Sequence, residues 1–135
     1  PKHLHLEITE SAYVENPEQL LLVVEQLKAA GFIIEMDDFG SGYSSLNMLA
    51  SMPIDILKLD MKFVQNYSEA DNSRSILSFV IGLAKWMNLY VIAEGVETKA
   101  QLELLRGMDC NMAQGYYFSK PIPEDEFVDF LMQHN

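Results

Sequence analysis

The stretch "LYVIAE" (89–94) is an almost unbroken apolar run that closes on a carboxylate, Glu94. A strand with one face in water alternates polar and apolar side chains, so a run of this kind describes a strand buried on both faces, as in a parallel sheet. Parallel strands require long crossovers, and helical patterns lie on either side of this one. Upstream, "NSRSILSFVIGLAKWMN" (72–88) sets Ile76, Val80, Leu83, Ala84 and Met87 on one helical face. Downstream, Thr98 and Gln101 form a capping box at the start of a helix in "KAQLELLR", with Gly107 past its end.

The same alternation continues outward. "FIIEM" (32–36) and "IDILKLD" (54–60) read as strands, joined by "GSGYSSLNMLASMP", a loop with about one helical turn. "HLHLEI" (3–8) alternates like a strand, and "NMAQGYYF" (111–118) supplies a fifth. Between the first two strands, "NPEQLLLVVEQLKAAG" has Asn16 at the N-cap, Pro17 at the first helical position, Gln19 at the reciprocal capping position and Gly31 at the stop. Its positions Leu20, Val23, Val24 and Leu27 recur at helical spacing, and "PEDEFVDFLMQH" (123–134) closes the chain as a proline-initiated helix. Strand and helix therefore alternate from end to end, the pattern of right-handed βαβ units in an α/β fold.

An open doubly wound sheet and a (β/α)₈ barrel both satisfy this alternation. The strand ends decide between them. Glu7, Asp37 with Asp38, Lys58 with Asp60, Glu94 and Gln114 each follow an apolar strand. A barrel draws its central site from the carboxyl ends of many strands, whereas an open sheet concentrates its site at one switch point. We therefore expect the wall of an incomplete TIM-like barrel, with about five parallel strands.

Carboxylates that converge repel one another unless a cation accompanies them. Glu7, Asp37, Asp38 and Glu94 form an oxygen-only set that suits Mg²⁺ or Mn²⁺ rather than zinc. Two such ions can activate water and stabilise the leaving oxygen of a phosphoryl displacement. Lys58 is the one cation among the strand ends, placed to orient the attacking water or to stabilise phosphoryl charge. A single Asp at a strand end is more often a turn former or a helix cap, but five strands ending alike is a pattern turns do not explain. "DFG" (38–40) is also a kinase magnesium motif; the chain has neither the glycine-rich nucleotide loop nor the HRD-type loop that accompanies it.

Composition narrows the partners. The 135 residues are 49% apolar and 21% charged, enough for one folded domain. A formal charge of −11 argues against nonspecific affinity for DNA, RNA or an anionic membrane. Cys110 has no second cysteine to pair with, and His3, His5 and His134 lack metal-ligand spacing. Without a signal peptide or an apolar run of membrane-spanning length, the cytoplasm is the expected compartment. The chain opens on "PKHLHLEITE" with no methionine and is in an extended run within three residues, as a piece of a longer protein does.

Five segments in this order, "LEITE" (6–10), "DDFGSGYSSL" (37–46), "DILKLD" (55–60), "VIAEGVET" (91–98) and "QGYYFSKPIP" (114–123), resemble the EAL domain, the bacterial cyclic di-GMP phosphodiesterase. The resemblance covers the whole chain. It implies a TIM-like barrel that hydrolyses cyclic di-GMP to the linear dinucleotide with divalent ions. It further implies Glu7 and Asp37 as metal ligands, Asp38 at a second metal, Lys58 on the catalytic water, Glu94 as general base or second-metal ligand, and Gln114 lining the water and metal site. Glu10 resembles a glutamate that steadies the loop from Gly40 through Ser44 and Ser45, a lid that also serves dimer contacts in the family, and Glu97 resembles a supporting acid.

The family's Glu-Ala-Leu segment and a later asparagine ligand lie upstream of "LEITE" and are absent from these residues. Residues 1–135 are thus expected to be the carboxyl-terminal part of a single barrel, which takes about 250 residues when complete. Weak metal binding, little or no isolated activity, and association with another copy or with the amino-terminal half are the expected consequences. A non-catalytic cyclic di-GMP sensor is the alternative for the parent domain, and a remnant without a role of its own is the alternative for the piece.

Overall fold

The computed structural model describes residues 1–37, 39, 45–62 and 70–134. Its strands are β1 (His5–Ile8), β2 (Ile33–Met36), β3 (Ile56–Asp60), β4 (Tyr90–Glu94) and β5 (Met112–Ala113). All neighbours pair in parallel, and the spatial order β1-β2-β3-β4-β5 follows the chain. When every right-handed crossover advances in the same direction, every connecting helix falls on the same face. A doubly wound sheet needs a reversal of strand order, and these five strands have none. The sheet is the wall of an open barrel.

The helices are α1 (Glu10–Glu15), α2 (Pro17–Ala29), α3 (Ser45–Ser51), α4 (Ala70–Trp86), α5 (Lys99–Gly107) and α6 (Glu124–His134). Because side chains alternate along a strand, Ile8, Ile34, Met36, Leu57, Leu59, Val91 and Ala93 share the helix-facing side. There they form one core with Val24 of α2, Leu77, Val80, Ile81 and Ala84 of α4, and Leu102 and Leu105 of α5. The other side carries His5, Glu7, Glu35, Ile56, Lys58, Tyr90, Ile92, Glu94 and Met112, a register fixed by Glu7 opposite Glu35, Lys58 opposite Ile92 and Asp60 opposite Glu94. In a closed barrel this side is the interior. Here Tyr90 and Met112 remain 58% and 54% exposed.

Two polar anchors hold the lower part of the wall. Asp55 accepts the Ile34 N–H at 2.9 Å and the Lys28 ammonium at 2.6 Å, tying α2 and β2 to the start of β3. Glu35 is buried on the interior face, where His5 Nδ1 lies 2.5 Å from its Oε1. A carboxylate that deep is tolerated because it has this partner.

The caps read from the sequence are in place at α2 and α5. Asn16 accepts the Gln19 N–H at 3.1 Å, and Thr98 accepts the Gln101 N–H at 3.2 Å while Gln101 Oε1 returns to the Thr98 N–H at 3.1 Å. Gly31 follows α2 with φ +91°, as its role as a stop requires. Four local features differ from the sequence reading. α1 was not anticipated, because its six residues are too few to show a period; Thr9 caps it by accepting the Ala12 N–H. α3 runs for seven residues rather than one turn. Gly107 lies inside α5, and the left-handed step falls two residues later on Asp109, φ 55°. The fifth strand is only two residues long, since the chain turns at Gly115 and Phe118 N–H bonds back to the Gly115 carbonyl at 3.1 Å.

Candidate active site at the strand ends

The upper rim of the interior face gathers Glu7 from β1, Asp37 just past β2, Lys58 from β3, Glu94 from β4 and Gln114 just past β5. Asp37 continues the ladder after β2, its N–H bonding the Ile8 carbonyl at 3.1 Å. Lys58, 7% exposed, is the centre of the group: its ammonium donates to Glu7 Oε1 and lies 2.9 Å from Glu94 Oε1. Gln114 Nε2 donates to the same Glu94 oxygen at 3.4 Å.

The electrostatics follow from this packing. Burial by itself lowers the affinity of Lys58 for its proton, but hydrogen bonds and charge from Glu7 and Glu94 outweigh it and raise the pKa above the ordinary lysine value. Lys58 is a fixed cation. Burial pushes the Glu94 carboxyl up; Lys58 opposes the shift, while the charge of Asp37 and a hydrogen bond with it reinforce it. Glu94 is therefore engaged by both Asp37 and Lys58.

Among the described residues, no three of His, Cys, Asp and Glu stand close enough together to hold an ion. Asp38, Gly40 and Ser44 of the expected site lie outside the described residues. The donor set that is present is nonetheless of the right chemistry, since its oxygens are all hard. Glu10 opens α1, and Ser45 opens α3. Glu97 is exposed on the rim, where its N–H donates to Gln101 Oε1 at 2.8 Å, so its backbone is anchored to α5.

Beside the cluster is a cavity of about 280 Å³ lined by Asp60, Lys62, Glu94, Glu97, Gln114 and Tyr116. Asp60, a strand end without an assigned role in the sequence reading, sits opposite Glu94 in register, and its Oδ1 accepts the Lys62 N–H at 2.8 Å. The pairing of β3 with β4 is the signal that places it. A second cavity of about 400 Å³, more apolar, adjoins through Gln114 and Tyr116 and reaches Lys120, Phe127 and Phe130.

Five strands thus deliver carboxylates, a lysine and an amide to one rim, and a family model described as the EAL domain matches residues 1–121. The chain belongs to the EAL domain family. Among its relatives is the bifunctional diguanylate cyclase/cyclic di-GMP phosphodiesterase MucR of Pseudomonas aeruginosa, 40% identical over 128 residues, which are 95% of this chain and 19% of MucR. The EAL domain crystal structure of Mycobacterium smegmatis DcpA superposes with a TM-score of 0.88 at 38% identity, covering 98% of this chain and 59% of that one. The PaMucR phosphodiesterase in its c-di-GMP complex gives 0.84 at 40% identity, covering 94% and 51%. This EAL chain therefore spans about a fifth of that curated relative and just over half of those solved chains.

Proposed function

We propose that residues 1–135 are the carboxyl-terminal part of one EAL barrel that hydrolyses cyclic di-GMP to the linear dinucleotide with Mg²⁺ or Mn²⁺. The observation that carries this reading is the buried Lys58 held between Glu7 and Glu94, with Asp37 and Gln114 engaged on the same rim. The names of MucR and of the PaMucR complex support cyclic di-GMP as the substrate.

On this reading Glu7, Asp37 and Glu94 would hold the divalent ions together with ligands from the amino-terminal half of the barrel, with Asp38 at the second. When bound, the ions lower the pKa of water and neutralise charge on the phosphodiester. The chain's own groups do the rest. Lys58 keeps its proton and donates a hydrogen bond to the attacking water, fixing its direction. Glu94, with a raised proton affinity, accepts the proton that the water gives up. Gln114 orients the Glu94 carboxyl through its amide. Glu97 lines the substrate cavity, and Glu10 supports the loop through Gly40, Ser44 and Ser45.

The open interior face and the free edges of β1 and β5 take the amino-terminal half of the barrel as partner, and isolated copies associate through the same edges. The isolated chain is expected to be inactive or weak, because ligand count sets metal affinity. The test is cyclic di-GMP turnover with Mg²⁺ or Mn²⁺, by this chain alone and mixed with the amino-terminal half of an EAL barrel, beside Glu94→Ala. Linear dinucleotide that vanishes in the variant supports hydrolysis. Tight binding without product in the reconstituted barrel would instead make it a sensor.

A further inference from the structure

The loops that follow β4 and β5 are locked together through main-chain bonds. Val96 N–H donates to the Gln114 carbonyl at 3.1 Å, Tyr117 N–H donates to the Val96 carbonyl at 3.0 Å, and Gln114 N–H donates to the Ala93 carbonyl at 2.8 Å. Val96 is fully buried at the crossing. Between these bonds lies Gly115, φ +156°, where a Cβ would stand 2.3 Å from the Val96 carbonyl oxygen, 2.4 Å from its nitrogen and 2.9 Å from its carbonyl carbon. Those three are backbone atoms, and the nitrogen and oxygen are already committed to Gln114 and Tyr117. They cannot retreat without breaking the bonds that join the two loops.

What the lock holds is the site. Gln114, the residue before Gly115, reaches Glu94 Oε1 with its amide, and Glu94, two residues before Val96, holds Lys58. We infer that Gly115 is a positioning residue for the reaction: by admitting the Val96 backbone where a side chain would stand, it sets the Gln114 amide against the Glu94 carboxyl. The consequence for catalysis rests on the hydrolase reading above; the geometry does not. Any side chain at 115 separates the loops and withdraws Gln114. Gly82 has nothing within 4 Å of its Cβ position, so an alanine there is a control for glycine replacement as such.

The experiment compares Gly115→Ala with Gly82→Ala in the whole ¹⁵N-labelled chain and reads the side-chain amide resonances of Gln114. In the wild-type background, Glu94→Gln displaces these resonances; in the Gly115→Ala background the displacement is lost. An equal displacement in both backgrounds overturns the inference. Should Gly115→Ala not fold, amide hydrogen exchange of the wild-type chain decides: Val96 and Tyr117 exchanging as slowly as Leu59 in β3 upholds the lock, and exchange at open-loop rates overturns it. Where the reconstituted barrel turns over cyclic di-GMP, Gly115→Ala lowers kcat by about 10²-fold with little change in KM, the scale of a displaced positioning group. An equal loss from Gly82→Ala would count against it. A barrel without turnover defeats the hydrolase reading and leaves the amide resonances to judge Gly115.

Discussion

Lys58 concentrates the electrostatics of the rim in one residue. It offsets Glu7 and Glu94 directly, while Asp37 acts on Glu94 through its charge and a hydrogen bond. Lys58→Met should cost about 2 kcal/mol at neutral pH, the scale of leaving hydrogen-bonded carboxylates without their cation, reduced here because Glu7 is partly in water. The pH dependence has a definite sign. The folded pKa of Lys58 is raised above 10.5, so its contribution is complete below pH 10.5 and is lost as pH rises through the folded value. Thermal melts of wild type and Lys58→Met should therefore differ by a constant margin from pH 8 to 10 and converge above that window. A margin that widens in alkali would contradict the pairing. Lys58, Glu7 and Glu94 were all legible in the sequence as strand ends, but their pairing was not. Their separations of 51 and 36 positions are spanned only by strand register.

Elements differ in how much of their stability is local. α5 carries its own start signal, the reciprocal Thr98 and Gln101 box, and Thr98→Ala should cost about 1 kcal/mol in denaturant unfolding. α4 depends on tertiary packing: Leu77 and Ile81 are fully buried, while Phe79 and Trp86 point into solvent at 67% and 83% exposure. Ile81→Ala should cost about 3 kcal/mol and Phe79→Ser less than about 0.5. A cost at Phe79 equal to that at Ile81 would mean that the outer face of α4 is covered in solution. The helical period set Ile76, Val80, Leu83, Ala84 and Met87 on one face of α4; Val80 and Ala84 are buried there and the other three partly so. The fully buried Leu77 and Ile81 were not among them, and packing against the sheet decided their place. By contrast, α1 had only a six-residue window, too short for a 3.6 period to be counted, and β5 was found within the expected fifth strand but at two residues rather than eight.

At the scale of the molecule, helices cover one face of the sheet, while on the other, among the described residues, Glu35, Ile56, Lys58 and Ile92 are buried and Tyr90 and Met112 stand exposed. α6 likewise has no buried residue. In isolation, copies at micromolar concentration should scatter light as species larger than a monomer, and adding the amino-terminal half of an EAL barrel should collapse them to one compact complex. A sharp monomer peak from the chain alone would refute this. A net charge of −11 on so few residues also means self-repulsion, so raising ionic strength from 0.01 to 0.15 M, which shortens the screening length from about 30 to 8 Å, should raise the melting temperature. No described helix is long and apolar enough to cross a membrane.

The sequence by itself determined the alternation of strands and helices, the caps at Asn16 and Thr98, and the list of polar residues that end the strands. These are local properties, written in periods and in neighbours three or four residues apart. Only the tertiary structure decided that Glu94 faces both Lys58 and Asp37, that Asp60 lies opposite Glu94, and that Gly115 has no room for a side chain. Each of these depends on the register between parallel strands, which is set when helices α2 to α5 pack on one face together and which no single segment encodes.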